Sequence, residues 1–491
     1  MNLKRKNAII TNKSIILYLS ITLLFAIAIG FISQILVSFL DSQVLTFVLF
    51  FILGIIIFIP IINRLVQKSF DLAEPGIWFA LFFFAHFGIR ALWDLKFGSP
   101  ILGLDPLDKN FGVVNAALVV SILAFLLFWF AYSRPIGRIV AKSIPELPRN
   151  LNVNLILPMA IFCVIVGWGV RLFLIISQTK SIELWVKSGT DIFMRQASGV
   201  YYLQNISSLA TIAVFLLFIG GRAYKRRSYK WFSYILLMPE LAFSFLTGKR
   251  SYLPFLLLSF LIAYYMTSER GHKTSIHFAR WAFMILLFLV FLFPIISSVR
   301  FQGFSNLKSV INSYTTSPIF IFKKVGGRLH DLDSLALIIE KVPDEEPHTL
   351  GMEFWLLSVA WIPRGIWSEK PVISIGETFQ QKMIPSNVYP EGTSVSISLP
   401  GQFYWDLGIT GVFVGMAFVG FLWRLLYEYL VKPKGNLSNS LIVAFMFTSF
   451  FVPLEQTLIA IFTGHLFKLF IILLVIFGVS WSKKKILGGS I

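Results

Sequence analysis

The chain is short of charge and almost without cysteine. Of its 491 residues only 14% are charged, 56% are hydrophobic, and Cys163 is its one cysteine. Soluble domains carry nearer a quarter charged residues, so a soluble protein of this length is excluded. A lone cysteine rules out an intramolecular disulfide framework, and its apolar neighbours make inert helix packing the plain reading. There is no Walker loop and no dinucleotide fingerprint, which disfavours a nucleotide-driven pump. The spacing of histidines and carboxylates shows no metal signature; Asp331-Leu332-Asp333 stands alone, too little for a cation site. No cofactor is expected. Regular repeats and low-complexity stretches are missing. So is a small-residue cleavage site after the first apolar run, Ile15 to Leu40, which is expected to remain as a first helix.

What is present is one long apolar run after another, with 51 phenylalanines among them. A bilayer core of about 30 Å needs roughly 20 apolar residues per helix. By that measure the sequence predicts an all-α, polytopic membrane protein of about twelve spans, at 15–40, 44–62, 76–92, 111–133, 154–177, 201–221, 231–246, 251–267, 281–299, 408–428, 438–456 and 460–481. It divides as residues 1–299 (nine helices), 300–407 (a large polar loop) and 408–491 (three helices). With the N-terminus placed in the cytoplasm, inner loops hold 24 Lys and Arg against 5 acids, and outer segments 16 against 17. That bias follows the positive-inside rule, so the net charge of +19 is a topology signal and needs no nucleic acid as partner. Both termini fall inside and the large loop outside.

Charges at membrane depth are costly and are functional candidates by default. They are His86, Arg90, Arg171, Glu240, Glu455 and Lys468. His86 and Arg90, four apart, share a helix face. Arg90 and Arg171 lie toward the outer ends of their spans, where snorkelling to the interface is the plainer alternative. Glu240, after Pro239, is expected to pair with one of the arginines or to handle a proton. Lys249 and Arg250, in the tight turn Thr247-Gly248-Lys249-Arg250, fall on the outer side where a new helix begins. Cations beside free helix-N-terminal amides form an anion site; contacts to lipid phosphate are the alternative.

The loop holds 11 of the 24 acidic residues and several cations in apolar surroundings: Arg300, Arg328 and, in the run Ile362–Pro371, Arg364. Arginine's fork donates two hydrogen bonds at once and suits phosphate oxygens. Asp331 or Asp333 reads as the start of a short amphipathic helix ending near Lys341, with Leu335, Ile338 and Ile339 as its apolar stripe. Residues 352–362 are too short to span and should lie in the interface or re-enter. Acid–base candidates are His330, Asp331, Asp333, His348, Glu353, Glu369, Glu377 and Asp406. His330 stands out because Asp331 is placed to orient it and raise its basicity, although a loop histidine is more often merely solvent-facing.

The span layout, the Gly248-Lys249-Arg250 turn, the Pro363-Arg364-Gly365-Ile366-Trp367-Ser368-Glu369-Lys370-Pro371 run and the segment Gly401 to Gly411 together resemble the Wzy-type O-antigen or capsular repeat-unit polymerases, in which a Gly-rich segment re-enters the membrane after the loop. The resemblance implies a GT-C-like glycosyltransferase of the bacterial inner membrane. It would move a growing glycan from undecaprenyl diphosphate onto an incoming lipid-linked repeat unit, by metal-independent inverting transfer. Carried onto this chain, the diphosphate-binding role falls on Arg250, Arg300, Arg328 and Arg364 with Lys249 in support; Arg90 and Arg171, from the charges at membrane depth, join that set, and His330, Asp333 and Arg364 are the catalytic candidates, with His330 not aligned to a family histidine. The implied partners are lipid-linked donor and acceptor, membrane lipid, a flippase and a chain-length regulator. An O-antigen ligase-like transferase shares this topology. A flippase for lipid-linked oligosaccharide is a further alternative, disfavoured because the buried charges sit mostly near the outer face.

Overall fold

Inside hydrocarbon no water is present to bond peptide groups, so an apolar run must satisfy its backbone internally, as a helix. The computed structural model of the protein describes residues 43–97, 111–179, 200–246, 252–302, 326–385 (save 361, 363–365, 368 and 372), 394–450 and 457–480; among them every regular element is helical. The expected span at 15–40 lies outside the described residues. The helices are α1 (Gln43–Val66), α2 (Pro75–Phe97), α3 (Phe111–Ser133), α4 (Ile136–Ser143), α5 (Val153–Thr179), α6 (Val200–Ser207), α7 (Leu209–Ala223), α8 (Arg227–Leu246), α9 (Tyr252–Met266) and α10 (His272–Gln302). The loop contributes α11 (Asp331–Lys341), α12 (Met352–Val359) and α13 (Ile375–Met383), before α14 (Leu399–Leu426), α15 (Leu437–Phe450) and α16 (Leu458–Ser480).

Among the described residues, six helical stretches are long and apolar enough to cross a membrane: 43–66, 75–97, 111–133, 153–177, 202–223 and 399–431. Shorter apolar helices lie at 253–266, 437–447 and 465–480. Their outward faces carry large apolar side chains, as Phe51, Ile55 and Ile59 do on α1 and Ile161, Ile165 and Phe173 on α5. Lipid is as apolar as leucine, so helices associate by close packing at small residues rather than by hydrophobic exclusion. Two glycines show this. A Cβ on Gly167 would stand 2.4 Å from the Ala210 backbone nitrogen, bringing α5 onto α7; one on Gly420 would stand 2.2 Å from the Phe128 carbonyl, bringing α14 onto α3.

At one end of the bundle a polar knot ties the helices together. Glu74 accepts from Arg64 at 3.0 Å and from Tyr132 at 3.1 Å, and Asp71 accepts from Tyr265 at 2.8 Å. Burial raises the Glu74 carboxyl above the ordinary carboxylate range, with the Arg64 guanidinium opposing it. The polar loop occupies the other end, around the last turns of α2.

The loop does not rest on top of the bundle. The apolar stripe predicted for 331–341 implied one wet face, yet α11 is buried all round from Asp331 to Ile338. Leu335 and Ile338 meet α14 at Gly401, where an added Cβ would touch the Ile338 methyl at 3.2 Å. The polar first turn is buried because α2 supplies its counter-charges. By contrast α12 keeps Met352, Phe354 and Trp355 more than half exposed, as expected for a helix lying in the interface. The carbonyls just past its C-terminus are held by Lys370, whose Nζ donates to Ala360 O and Ile362 O at 2.7 Å each.

α14 is two helices. At Leu407 and Gly408 the backbone leaves helical geometry, and Gly408 adopts φ 62°, ψ −147°, a region open essentially only to glycine. Beyond that point the chain folds back on itself. A Cβ on Gly411 would lie 2.0 Å from the Phe403 carbonyl, and one on Gly415 2.3 Å from the Phe403 ring. Residues eight or twelve apart in one straight helix are separated by about 12 or 18 Å. The segment 399–406 therefore starts inside the bundle and climbs to a tip at Gly408, from which the main helix descends. Ser398 caps it by accepting from Gly401 N at 3.2 Å, and Gln402 Oε1 accepts from the Leu458 amide at 2.8 Å, capping α16. The chain thus doubles back within the Gly401–Gly411 segment that was expected to re-enter the membrane.

Candidate functional site: a charged socket where the loop enters the bundle

α2 carries a π segment, Phe84–Ile89, between two α-helical stretches. Such bulges shift the register of the side chains that follow and are frequent at functional sites. His86 and Arg90 both project from this region toward the start of α11. Arg90 lies about two-thirds of the way along α2, so the contact is made well inside the bundle.

Arg90 is 2% exposed and grips Asp333 with both arms of its fork, Nε to Oδ1 at 2.9 Å and Nη2 to Oδ2 at 2.7 Å. It also pairs with Asp94 one turn on, at 2.9 Å, and donates through Nη1 to the Gly326 carbonyl at 3.1 Å. Its guanidinium lies 4.1 Å from the Trp93 ring centre. His86 Nδ1 stands 2.9 Å from Asp331 Oδ2, while Asp331 Oδ1 accepts from Ser396 at 2.6 Å. Ser334 returns the contact by donating to the Ser396 carbonyl at 2.5 Å. Carboxylates in a first helical turn also favour the positive end of the helix dipole. The socket thus fixes the inner end of α11 and the irregular segment leading into α14. Arg90, expected as a diphosphate ligand, and Asp333, expected to be catalytic, are here each other's partners.

His330 sits at the lip of the socket as the residue capping α11. Its Nδ1 is buried and takes no hydrogen bond from the described residues. Asp331 does act to raise its basicity, as expected, but it is outweighed. Burial, then the Arg90 and Arg328 guanidinium charges, outweigh Asp331 and push the imidazole down to about 4, so it is neutral at physiological pH. A histidine held neutral when folded, yet with an ordinary value near 6.5 when unfolded, costs stability as pH falls from 6.5 toward 4. The loss should reach at most roughly 3 kcal/mol below pH 4. Thermal unfolding of the purified protein at pH 7.5, 6 and 5 should show His330→Gln flattening that part of the profile. An unchanged profile removes the buried-neutral assignment.

Arg328, two residues before His330, is exposed at the same lip. Arg300 lies two residues before the end of α10, while Lys249, Arg250 and Arg364 lie outside the described residues. Arg171 is elsewhere in the bundle. It donates to Glu240 Oε1 at 2.5 Å and Oε2 at 3.0 Å, and packs 4.4 Å from the Phe243 ring centre. Thr211 completes the set by donating to Glu240 Oε2 at 2.7 Å. Glu240 therefore has the pairing role weighed for it. His348, in the turn between α11 and α12, contacts the Trp405 carbonyl through Nδ1 at 3.1 Å, and Thr349 donates to Asp406. These contacts pin the loop to the Gly408 tip.

Three participants escaped the sequence reading. Asp94 was legible as the residue four on from Arg90. Ser396 and Lys370 had no local signal, because each acts on backbone or side chains brought near only by folding.

Buried ion pairs, outward-facing apolar surface and re-entrant half-helices define a multi-pass membrane protein whose largest connecting segment is folded back into its own bundle. The family model for O-antigen polysaccharide polymerase Wzy matches residues 111–485, and the chain belongs to that family. No curated protein and no solved structure matches it.

Proposed function

We propose that the protein is a GT-C-like glycosyltransferase that joins undecaprenyl-diphosphate-linked oligosaccharide repeat units into O-antigen or capsular polysaccharide. It would work without a metal, at the outer face of a bacterial inner membrane, with both termini in the cytoplasm. Family membership supports the polymerase role. The observation that carries the site is the pairing, inside the bundle, of Arg90 with Asp333 beneath His330 and Arg328.

In this reading Arg90, His86, Asp331 and Asp333 are positioning residues. They hold the start of α11 so that Arg328 and His330 face the rim. Arg328, with Lys249, Arg250, Arg300 and Arg364, gathers the donor diphosphate. The acceptor hydroxyl attacks the anomeric carbon, its proton passes to a neutral His330 nitrogen, and the carbon–oxygen bond to phosphate breaks with its electron pair leaving on the diphosphate. Displacement from the opposite face inverts the anomeric centre. A base held near 4 is weak, but an arriving dianion beside Arg328 offsets one of the two cations that depress it. Substrate binding thereby strengthens the base. Apolar outer faces of the bundle accommodate the polyprenyl tail, and Arg171 with Glu240 stiffens the neighbouring helices.

The test is chain growth on a defined lipid-linked repeat unit with purified protein. Arg328→Ala should cut the rate at least tenfold, the equivalent of one charge-assisted contact, and Arg328→Lys should recover part of it. Full activity in Arg328→Ala would remove the diphosphate role. Transfer to a different acceptor with no chain growth would make the protein a ligase, and movement of lipid-linked units across vesicles without growth a flippase.

A further inference from the structure

The basic end of the bundle holds a cavity of about 560 Å³ that the polymerase reading does not use. It opens between α4 and the turn joining α14 to α15. Arg138, Lys142, Arg149, Lys432 and Lys434 line it, against only Glu146 and Glu428. Both carboxylates are already engaged. Glu428 is held by Arg424 at 2.5 Å, Lys432 at 2.9 Å and Arg138 at 3.3 Å, and Glu146 pairs with Arg149 at 2.9 Å. Lys434 donates to the Arg270 carbonyl at 2.9 Å, and Lys142 makes no ion pair with a described residue. The cavity therefore keeps an uncompensated positive charge.

A second observation narrows the ligand. Asn439 lines the same cavity and is 3% exposed. Its Nδ2 is fixed by donating to the Tyr429 carbonyl at 2.9 Å, and its Oδ1 takes no hydrogen bond from the described residues. A buried acceptor beside surplus cations calls for a ligand that is both anion and hydroxyl donor. A third observation locates it in lipid. α4 presents Ile136 and Ile139, 57% and 61% exposed, on the turns that carry Arg138 and Lys142. That is the pattern of a helix lying in a membrane surface with its cations at headgroup level.

We propose that this cavity is a binding site for the headgroup of an anionic phosphoglycerol lipid. The phosphate sits among Lys142, Arg149 and Lys432, and a glycerol hydroxyl donates to Asn439 Oδ1. The charge bias of the chain puts this end in the cytoplasmic leaflet, so the site would read the composition of the leaflet opposite the one where polymer is made.

Native mass spectrometry of the full-length protein, released from nanodiscs of phosphatidylglycerol mixed with phosphatidylcholine, tests it. Wild type should retain phosphatidylglycerol in preference to phosphatidylcholine. Lys142→Ala and Arg149→Ala, both at exposed positions that folding tolerates, should each weaken that retention roughly fivefold, the factor matching about 1 kcal/mol per basic residue at an anionic surface. Lys142→Arg should keep it. Equal retention of both lipids, or undiminished retention in both alanine variants, overturns the proposal. Displacement of the lipid by millimolar glycerol phosphate would assign the cavity to a soluble phosphate instead, and would also overturn it.

Discussion

Arg90→Ala is expected to abolish polymer formation and to loosen the loop, because it strips one cation from two buried carboxylates at once. Asp333 and Asp94 both lean on that guanidinium, and so does the Gly326 carbonyl. Removing one partner of a buried pair costs about 3–5 kcal/mol, most of it the penalty of the charge left behind. That is a large share of any domain's stability. The same reasoning predicts that Arg90→Met with Asp333→Leu is milder than Arg90→Met alone, since only Asp94 is then stranded. Two readouts separate fold from chemistry. Limited trypsin digestion between Lys341 and Lys382 reports release of the loop, and the polysaccharide ladder reports growth. If Arg90→Ala keeps both a protected loop and a normal ladder, the socket is not what seats α11. Arg90→Lys should hold the charge but lose the fork, and land between the two.

Gly411→Ala is expected to be the most damaging added methyl among the described glycines. The added carbon would stand 2.0 Å from the Phe403 carbonyl, a backbone atom with no rotamer to escape into. Overpacking ordinarily costs about 1–3 kcal/mol, and a clash with main chain belongs at or above the top of that range. The two halves of α14 would have to separate, carrying Ser398 and Ser396 away from α11. Gly169→Ala is the matched control. It too lies in a helix, but nothing stands within 4 Å of its new methyl, so it should be neutral or stabilising by up to about 1 kcal/mol. Melting temperature of the purified variants and ladder length in cells should both fall for Gly411→Ala alone. Equal behaviour of the two variants would show that the hairpin tolerates separation.

Much of this architecture was legible because hydrocarbon leaves the chain few options. Apolar runs had to become helices, and a glutamate in the middle of one had to find a cation; Glu240 found Arg171. The fold-back was anticipated only by resemblance, through the Gly-rich run Gly401–Gly411; that Gly408 takes a glycine-only backbone and that Gly411 and Gly415 permit the close approach came with the fold. The site was less legible. Arg90 and Asp333 are 243 residues apart, and no local pattern announces that they meet. The basicity of His330 was misjudged for the same reason. Its sequence neighbour Asp331 was visible, whereas burial and Arg90, which outweigh it, came only with the fold. The burial of α11 was hidden by its own composition, since a stripe of Leu335, Ile338 and Ile339 reads as half-wet until its polar residues are seen to have partners. Family membership places the chain among O-antigen polymerases. The socket adds how such a chain holds its largest loop.

The socket also bears on how these proteins can be re-engineered. Segment exchange between relatives would naturally cut at the two ends of the polar stretch, moving 300–407 as a cassette. Such chimaeras should misfold, because the cassette's anchoring carboxylates, Asp331 and Asp333, answer to His86 and Arg90 in a helix more than two hundred residues upstream. A graft that brings α2 along with the cassette is the one to build.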